Sequence, residues 1–473
     1  MAPLDGRVQS TGVFKSPVFS RRRLLGAIAG GSGGVALASL LAACSSAAPA
    51  GGTQPAAPTA AANTAGQPAQ AGPGGFANVG TLKVLMSSHF VPAYDTWFDQ
   101  WASDWGKKNK VEVQADHILS SDLAAKNAAE VAARSGHDIY KFTRNGEPVL
   151  YHTQMTDVSD LTKQIGEAHG GWIPFGETLG LVDGVWYAVP EYFIDFPALY
   201  RKDIFDANGL APVDTWDDLL KTGTVLKSKG NPIGIAINQK SNDANNTWTG
   251  VLWSHGGSVV AQDGKTVALN SQATRDMLTY AIELYNKTMT NEVLSWDDTG
   301  NNLLLASGRG SWIQNPISAL RTMEHDTPDL AAKVFISNTP AGPKGRMTSV
   351  TGNSWAIANW AGSVPAAKAF LLDYYQVLPD GIKASTGYNQ PVLKDLRKKP
   401  MPILGEEPKL TVLQDFDQVI HSVGYPGPPT QAAGEVESNW IIPLMVGRAV
   451  NDGDINGAVE WATQKVEAIY AKY

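Results

Sequence analysis

Apolar positions along the chain switch between a two-residue and a helical period. The runs "TLKVLM" (81–86), "VEVQAD" (111–116), "HDIYKF" (137–142), "GVWYAV" (184–189), "PALYR" (197–201) and "PIGIAI" (232–237) are short and rich in β-branched and aromatic residues, which predicts strands. Helical patterns lie between them. Asp95 to Lys108 carries Trp97, Trp101 and Trp105 at every fourth position, the spacing of a helix face turned to a core. "TWDDLLKTGTVLKSKG" (215–230) opens on a threonine N-cap, continues with acids and ends in lysines before a glycine. Ser271 caps an amphipathic pattern over 271–289, another occupies 364–378, and three more close the chain at about 408–421, 431–449 and 455–471. Strands alternating with helices predict an α/β fold, its parallel-type sheets covered by helices.

The N-terminal pattern is different. The apolar run Leu24 to Ala43 is near the roughly 20 residues that cross a bilayer, but it contains Gly26, Gly30, Gly31, Gly33 and Gly34. A basic front, an apolar middle and small residues at its end predict an export signal over 1–44. Ser20-Arg21-Arg22-Arg23-Leu24-Leu25 resembles the twin-arginine export motif. Leu41-Ala42-Ala43-Cys44 resembles the lipobox of bacterial lipoproteins, which implies lipidation of Cys44, the single cysteine of the chain. Residues 45–78 hold no Asp, Glu, Lys or Arg and little that could build a core. Such a segment cannot offset its chain entropy, so it is expected to be a disordered Ala/Pro/Gly tether between the membrane and a folded domain.

Composition narrows the partners. The formal net charge is −7. Because residues 1–44 carry Arg7, Lys15, Arg21, Arg22 and Arg23 against the single acid Asp5, the remainder is more acidic still, a poor match for nucleic acid. Beyond Cys44 no cysteine is left to form a disulfide, and no second apolar run is long enough to span a membrane. Hydrophobic content of 43% allows a full core in two or three domains.

Catalytic motifs are missing. The chain has no HExxH or CxxC and no cofactor signature, and its GxSxG match, Gly30 to Gly34, falls inside the apolar run of the export signal. Gly264-Lys265-Thr266 resembles the end of a phosphate loop, but Val259 stands where that loop needs its first glycine, and Asp263-Gly264 reads better as a hairpin turn. The eight histidines include no pair at metal-ligand spacing. Asp217-Asp218 and Asp297-Asp298 read as capping or solvated acids. What stands out is amide and aromatic chemistry in seven apparent loops: "SSHF" (87–90), "TRNGEP" (143–148), "PEYFIDF" (190–196), "NQKSNDANNTWTGVLW" (238–253), "WIQNP" (312–316), "TGNSW" (351–355) and "HSVGYPGPP" (421–429). Aromatic rings suit the C–H faces of a sugar, and Asp, Asn and Arg suit its hydroxyls.

From about residue 79 to its end the chain resembles the bacterial extracellular solute-binding proteins of ABC transporters, the group that includes maltose-binding protein. The resemblance rests on "GVWYAVPEYFIDFPALYRKDIFDANGLAPVDTWDDLL" (184–220), "VALNSQATRDMLTYAIELY" (267–285), "LLASGRGSW" (304–312), "GNSWAI" (352–357) and "GAVEWATQKVEAIY" (457–470), in that order. It implies the two-lobe periplasmic-binding-protein fold, with a ligand cleft between lobes and crossing hinge strands. Lobe one would hold 79–195 and 350–395, and lobe two 196–349 and 396–473. By position the resemblance implies ligand contacts from Ser88, His89, Arg144, Asn145, Tyr192, Asp195, Asp243, Asn245, Asn246, Trp253, Trp312, Asn315, Asn353, Trp355 and Tyr425. The implied partners are a small solute, the permease of an ABC importer and a membrane reached through Cys44, with the protein a monomer on the outer face of the cell membrane or in the periplasm. A polyamine would want several acids in the cleft and a phosphodiester several cations. The loops supply few of either, so a neutral sugar or polyol is the expected ligand. The competing class is a secreted carbohydrate-active enzyme, which would need two facing acids, Asp195 and Asp243.

Overall fold

The computed structural model describes Phe76, residues 79–405 and residues 407–473. The signal segment 1–44 with Cys44, and nearly all of the 45–78 tether, lie outside them.

Two sheets divide the chain. In the first part β1 (Thr81–Ser87), α1 (Pro92–Asn109), β2 (Glu112–Ile118), β3 (Ile139–Phe142), the short α2 (Glu147–Tyr151) and β4 (Val189–Ile194) follow one another. The chain then crosses through Asp195–Pro197 into β5 (Ala198–Arg201), α3 (Trp216–Ser228), β6 (Ile233–Gly234), α4 (Asn242–Ser254), α5 (Gln272–Thr288), β7 (Trp312–Gln314) and β8 (Val334–Ser337). It returns at Val350 with β9 (Thr351–Ile357), α6 (Val364–Gln376) and β10 (Gln390–Pro391), and crosses again before α7 (Gln431–Ser438), α8 (Ile441–Asp452) and α9 (Ile455–Tyr470). The first sheet runs β10-β4-β9-β3-β1-β2, the second β8-β5-β7-β6.

Both sheets are mixed rather than parallel. β1 pairs parallel with β2 and β3, as βαβ units require, but β9 runs antiparallel to β3 and β4. β5 likewise opposes β7 and β8. β5 and β9 enter from the other lobe, so a crossing sets their direction in place of a helix return; β10, antiparallel to β4, follows α6 within its own lobe.

Each sheet has its own core. Phe98, Phe193, Trp355, Phe370 and Tyr374 anchor one cluster; Trp216, Trp248, Met277, Trp312 and Met445 anchor the other. The tryptophan stripe of α1 packs on the first cluster, Trp101 lying 4.8 Å from Phe370. Met401, Leu404, Leu410, Leu413 and Phe416 join that same cluster, although their stretch of sequence was assigned to the second lobe.

Local signals behave as their chemistry demands. Thr215 and Asp218 form a reciprocal capping box at 3.0 and 3.3 Å, and Asp263 accepts from the Lys265 and Thr266 amides in a turn closed by a Val260–Val267 bridge. Four expectations change. "NDANN" is no loop but the first turn of α4, because Ser241 caps it. The 304–312 stretch, a small-residue strand by the family resemblance, begins inside helix Gly300–Ala306 and is strand only from Trp312. The 408–421 helix is a 3-10 stretch over Pro408–Gln418. The 431–449 helix breaks at Trp440, whose φ of 51° is left-handed.

Candidate ligand cleft

The two lobes meet along α4. Ser241 Oγ accepts the Ala244 amide at 3.3 Å, and Asp298 Oδ1 accepts both Ser241 Oγ–H at 2.8 Å and the Asp243 amide at 3.3 Å. These caps fix the first turn, so Asp243, Asn245 and Asn246 stand buried at the boundary between lobes.

Two recesses flank this helix. One, an open recess of about 370 Å³ counted out to solvent, takes Asp243, Asp298, Asn242 and Asn315 from the second lobe and Phe90, Ser120, Ile194 and Tyr388 from the first, with Thr351 at the hinge. The other, about 460 Å³, gathers Asn245, Asn246, Trp253 and Tyr425 with Ser349 and Glu437. A hydrogen bond separates them: Asn246 Nδ2 donates to Thr351 Oγ1 at 2.9 Å, while Asn246 Oδ1 accepts from Ser349 at 3.1 Å. Trp253 meets Tyr425 edge-on at 5.5 Å, and Tyr425 stacks on His421 at 3.9 Å.

The first lobe closes over the second recess with three consecutive residues. The Arg144 guanidinium lies 4.1 Å from the Trp440 ring centre. Asn145 donates to Val350 O at 2.7 Å and accepts the Gly352 amide at 2.8 Å, which pins the returning hinge. The Gly146 amide donates to the Glu437 carboxylate at 3.0 Å. Burial raises Glu437 to about 7, an effect offset in part by the Gly146 amide.

Electrostatics differ sharply across the boundary. Asp243 sits well above the usual carboxylate range, through burial and then the neighbouring charge of Asp298; burial also raises Asp298. Asn301 Nδ2 holds Asp243 at 2.8 Å. Asp195, with no hydrogen-bond partner on either oxygen, is pushed by burial to about 8 against the pull of Arg397. Asp195 follows the end of β4 in the crossing and is not among the residues lining either recess.

The remaining sequence-derived positions divide. Ser88 is exposed, its amide donating to Ile118 O at 2.7 Å. Burial lowers His89 to about 4, so its ring is neutral. Nδ1 accepts the Val91 amide at 2.9 Å and Nε2 meets Asn389 Oδ1 at 2.9 Å, which sets the ring edge-on 5.1 Å behind Tyr388. Asn353 is buried in β9 with Nδ2 unpaired. Tyr192 lies under Lys141, 4.5 Å from ring centre to Nζ, inside the first core. Trp312 and Trp355 are corrections. Expected as sugar platforms at strand ends, they are 0% and 1% exposed, and Trp355 stacks on Phe98 at 5.8 Å. Trp312 begins its strand rather than ending it, which aims the ring into the second core.

Sequence reasoning missed Phe90, Asp298, Tyr388 and Glu437 as cleft residues. "TGYNQP" (386–391) carries the same amide–aromatic mark as the chosen loops and would have offered Tyr388. Asp298, expected to be a capping or solvated acid, caps α4 and faces the recess at once. Glu437 carries no signal, since it lies on an ordinary amphipathic helix.

No curated protein matches the sequence closely. Solved structures share the fold. An ABC-transporter solute-binding protein from Thermotoga lettingae TMO, bound with α-D-tagatose, is 18% identical, covers 82% of this chain and 99% of its own, and superposes with a TM-score of 0.71. Maltose-bound MalE3 of T. maritima is 17% identical, with 82% and 100% covered and a TM-score of 0.71. An ABC-transporter solute-binding protein of Agrobacterium vitis S4 with bound D-mannitol is 19% identical, with 83% and 99% covered and a TM-score of 0.65. The model of the family "Bacterial extracellular solute-binding protein" matches residues 91–374. Two lobes, three crossings and a polar cleft agree with that match: the chain belongs to the bacterial extracellular solute-binding proteins.

Proposed function

We propose that this chain is the solute-capturing lipoprotein of an ABC importer, held at the outer face of the cell membrane through Cys44, and that it acts as a monomer. It captures a sugar or polyol between its lobes and presents it to the permease. Its family is one of binding proteins, not enzymes. The tagatose, maltose and mannitol held by similarly folded proteins support a polyhydroxylated ligand. The observation that carries the reading is the first turn of α4, which holds Asp243, Asn245 and Asn246 buried at the lobe boundary, beside the rings of Tyr388 and Trp253. Acceptors and donors there suit hydroxyls, and the rings suit C–H faces.

Thermal-shift screening of the purified protein against monosaccharides, disaccharides and polyols tests it. A ligand that raises the melting temperature without being turned over is expected; hydrolysis of an oligosaccharide, or no response to any polyhydroxylated compound, would overturn it. The anchor has its own test. Cys44→Ala should abolish fatty-acid labelling, and Arg21→Lys with Arg22→Lys should block export if the twin-arginine route is used.

A further inference from the structure

In the recess at the start of α4 every charged side chain is an acceptor. Asp243 and Asp298 face it from one element and its cap, and no Lys or Arg is among the residues that line it. A third acceptor belongs to a residue of the same lining. Asn315 is 1% exposed. Its Nδ2 donates to Asn302 Oδ1 at 2.6 Å and Pro316 O at 2.8 Å, which fixes the orientation of the amide. Oδ1 is left with no partner. An orphaned buried acceptor costs free energy until a donor reaches it. The protein offers here the hydroxyl hydrogens of Ser120, Ser318, Thr351 and Tyr388 and the amide of Asn242, and no charged donor.

Charge decides what that donor is. The N-terminus of α4 supplies about half a positive charge, and the caps already use it. Two carboxylates exceed it, so the recess is left short of positive charge. A neutral polyol would donate hydroxyls to the two acids but bring no charge to offset theirs. A protonated amine would let both stay ionised and would donate to Asn315 as well.

We infer that the solute held in this cleft carries a protonated amine together with its hydroxyls, an amino sugar or amino polyol, with the amine seated between Asp243, Asp298 and Asn315. The inference rests on the sugar-or-polyol reading above and names the substrate class within it. Phe90 and Tyr388 are placed to cover the carbon skeleton, and the serine and threonine hydroxyls to meet the remaining hydroxyls.

Matched pairs test this on the full-length protein: D-glucosamine against D-glucose, 1-amino-1-deoxysorbitol against sorbitol, with putrescine as an amine lacking hydroxyls. Calorimetry should give at least a tenfold preference for the amine member of a pair, falling as salt is raised. Asp298→Asn, which keeps the cap acceptor of α4, should cut that preference tenfold or more. Asp297→Asn, on an exposed neighbour that accepts only from Thr299, should leave it unchanged. Neutral members that bind as well as their amine partners would overturn the inference and leave the sugar-or-polyol reading standing. Binding of putrescine alone would keep the amine and overturn the hydroxyls. No binding by any member would overturn both.

Discussion

Buried charge is handled in opposite ways in two regions of this molecule. In the core of the first lobe, Lys141 and Glu191 are 1% and 0% exposed and pair at 2.8 Å. Tyr94 donates to Glu191 at 2.9 Å, Tyr374 donates to the same oxygen, and the rings of Tyr192 and Trp355 lie 4.5 and 4.6 Å from Nζ. Every charge there has a partner within the protein. At the lobe boundary Asp195, Asp243 and Asp298 have no cation in contact. Burial raises all three, and Arg397 opposes the rise at Asp195 only in part. A paired buried charge fixes a core; an unpaired one is stability given up where something must bind or move.

Breaking the pair gives the largest effect. Glu191→Gln leaves the Lys141 ammonium buried against a neutral amide, and losing one partner of such a pair costs about 3–5 kcal/mol. Denaturant melting should show that loss, and Glu191→Leu combined with Lys141→Met should recover most of it. If Glu191→Gln melts like wild type, Lys141 is neutral in the core and the contrast fails. Trp312→Ala should cost a similar ~3–5 kcal/mol, as for any large core aromatic, without displacing a bound sugar. A variant that melts normally and loses binding would return Trp312 to the cleft.

Asp195 sharpens the other half with the opposite sign. Its folded pKa of about 8 exceeds the unfolded value, so folding takes up a proton. The penalty is absent below about pH 4, grows between pH 4 and 8 and is constant above. Asp195→Asn removes it, so the variant should be more stable than wild type by several kcal/mol at pH 8 and by little near pH 4. A pH-independent difference would mean that Asp195 is not held neutral.

The legibility of this molecule follows the same division. Period and caps are local, so the strands at 81, 112 and 198, the stripe of α1 and the Thr215 cap could be read directly. Position in a family order placed Asp243, Asn245, Asn246 and Asn315 at the boundary. It could not tell that Trp312 is sealed in a core, because which face of a strand is buried depends on register with neighbours more than 100 residues away, as when Trp312 pairs with Tyr200. Asp298 illustrates the other limit. A capping acid and a cleft acid look alike in sequence, and here one side chain is both.

The smallest effect on stability separates folding from closing. Gly146 in the first lobe and Gly434 in the second meet backbone to backbone: a Cβ on Gly146 would stand 2.3 Å from Gly434 Cα, and one on Gly434 2.9 Å from Gly146 Cα. Backbone cannot yield as a flexible side chain does, so a methyl at either position holds the lobes apart. Gly434 lies inside α7, where alanine is favoured over glycine by roughly 0.5–1 kcal/mol. Gly434→Ala should thus melt slightly later without ligand, since the open form has room for the methyl. It should also keep the Arg144–Trp440 and Gly146–Glu437 contacts from forming. Ligand gains from closure only when it touches both lobes at once. A compound that stabilises the wild type should therefore bind Gly434→Ala at least tenfold more weakly, and small-angle scattering should show no fall in the radius of gyration when it is added. If the radius falls as in wild type, the lobes close by another path and the glycine contact is incidental to capture. If binding weakens but the unliganded melting temperature drops as well, the methyl has damaged the fold, and Gly146→Ala, at the N-cap of the short α2, becomes the cleaner probe of the same approach.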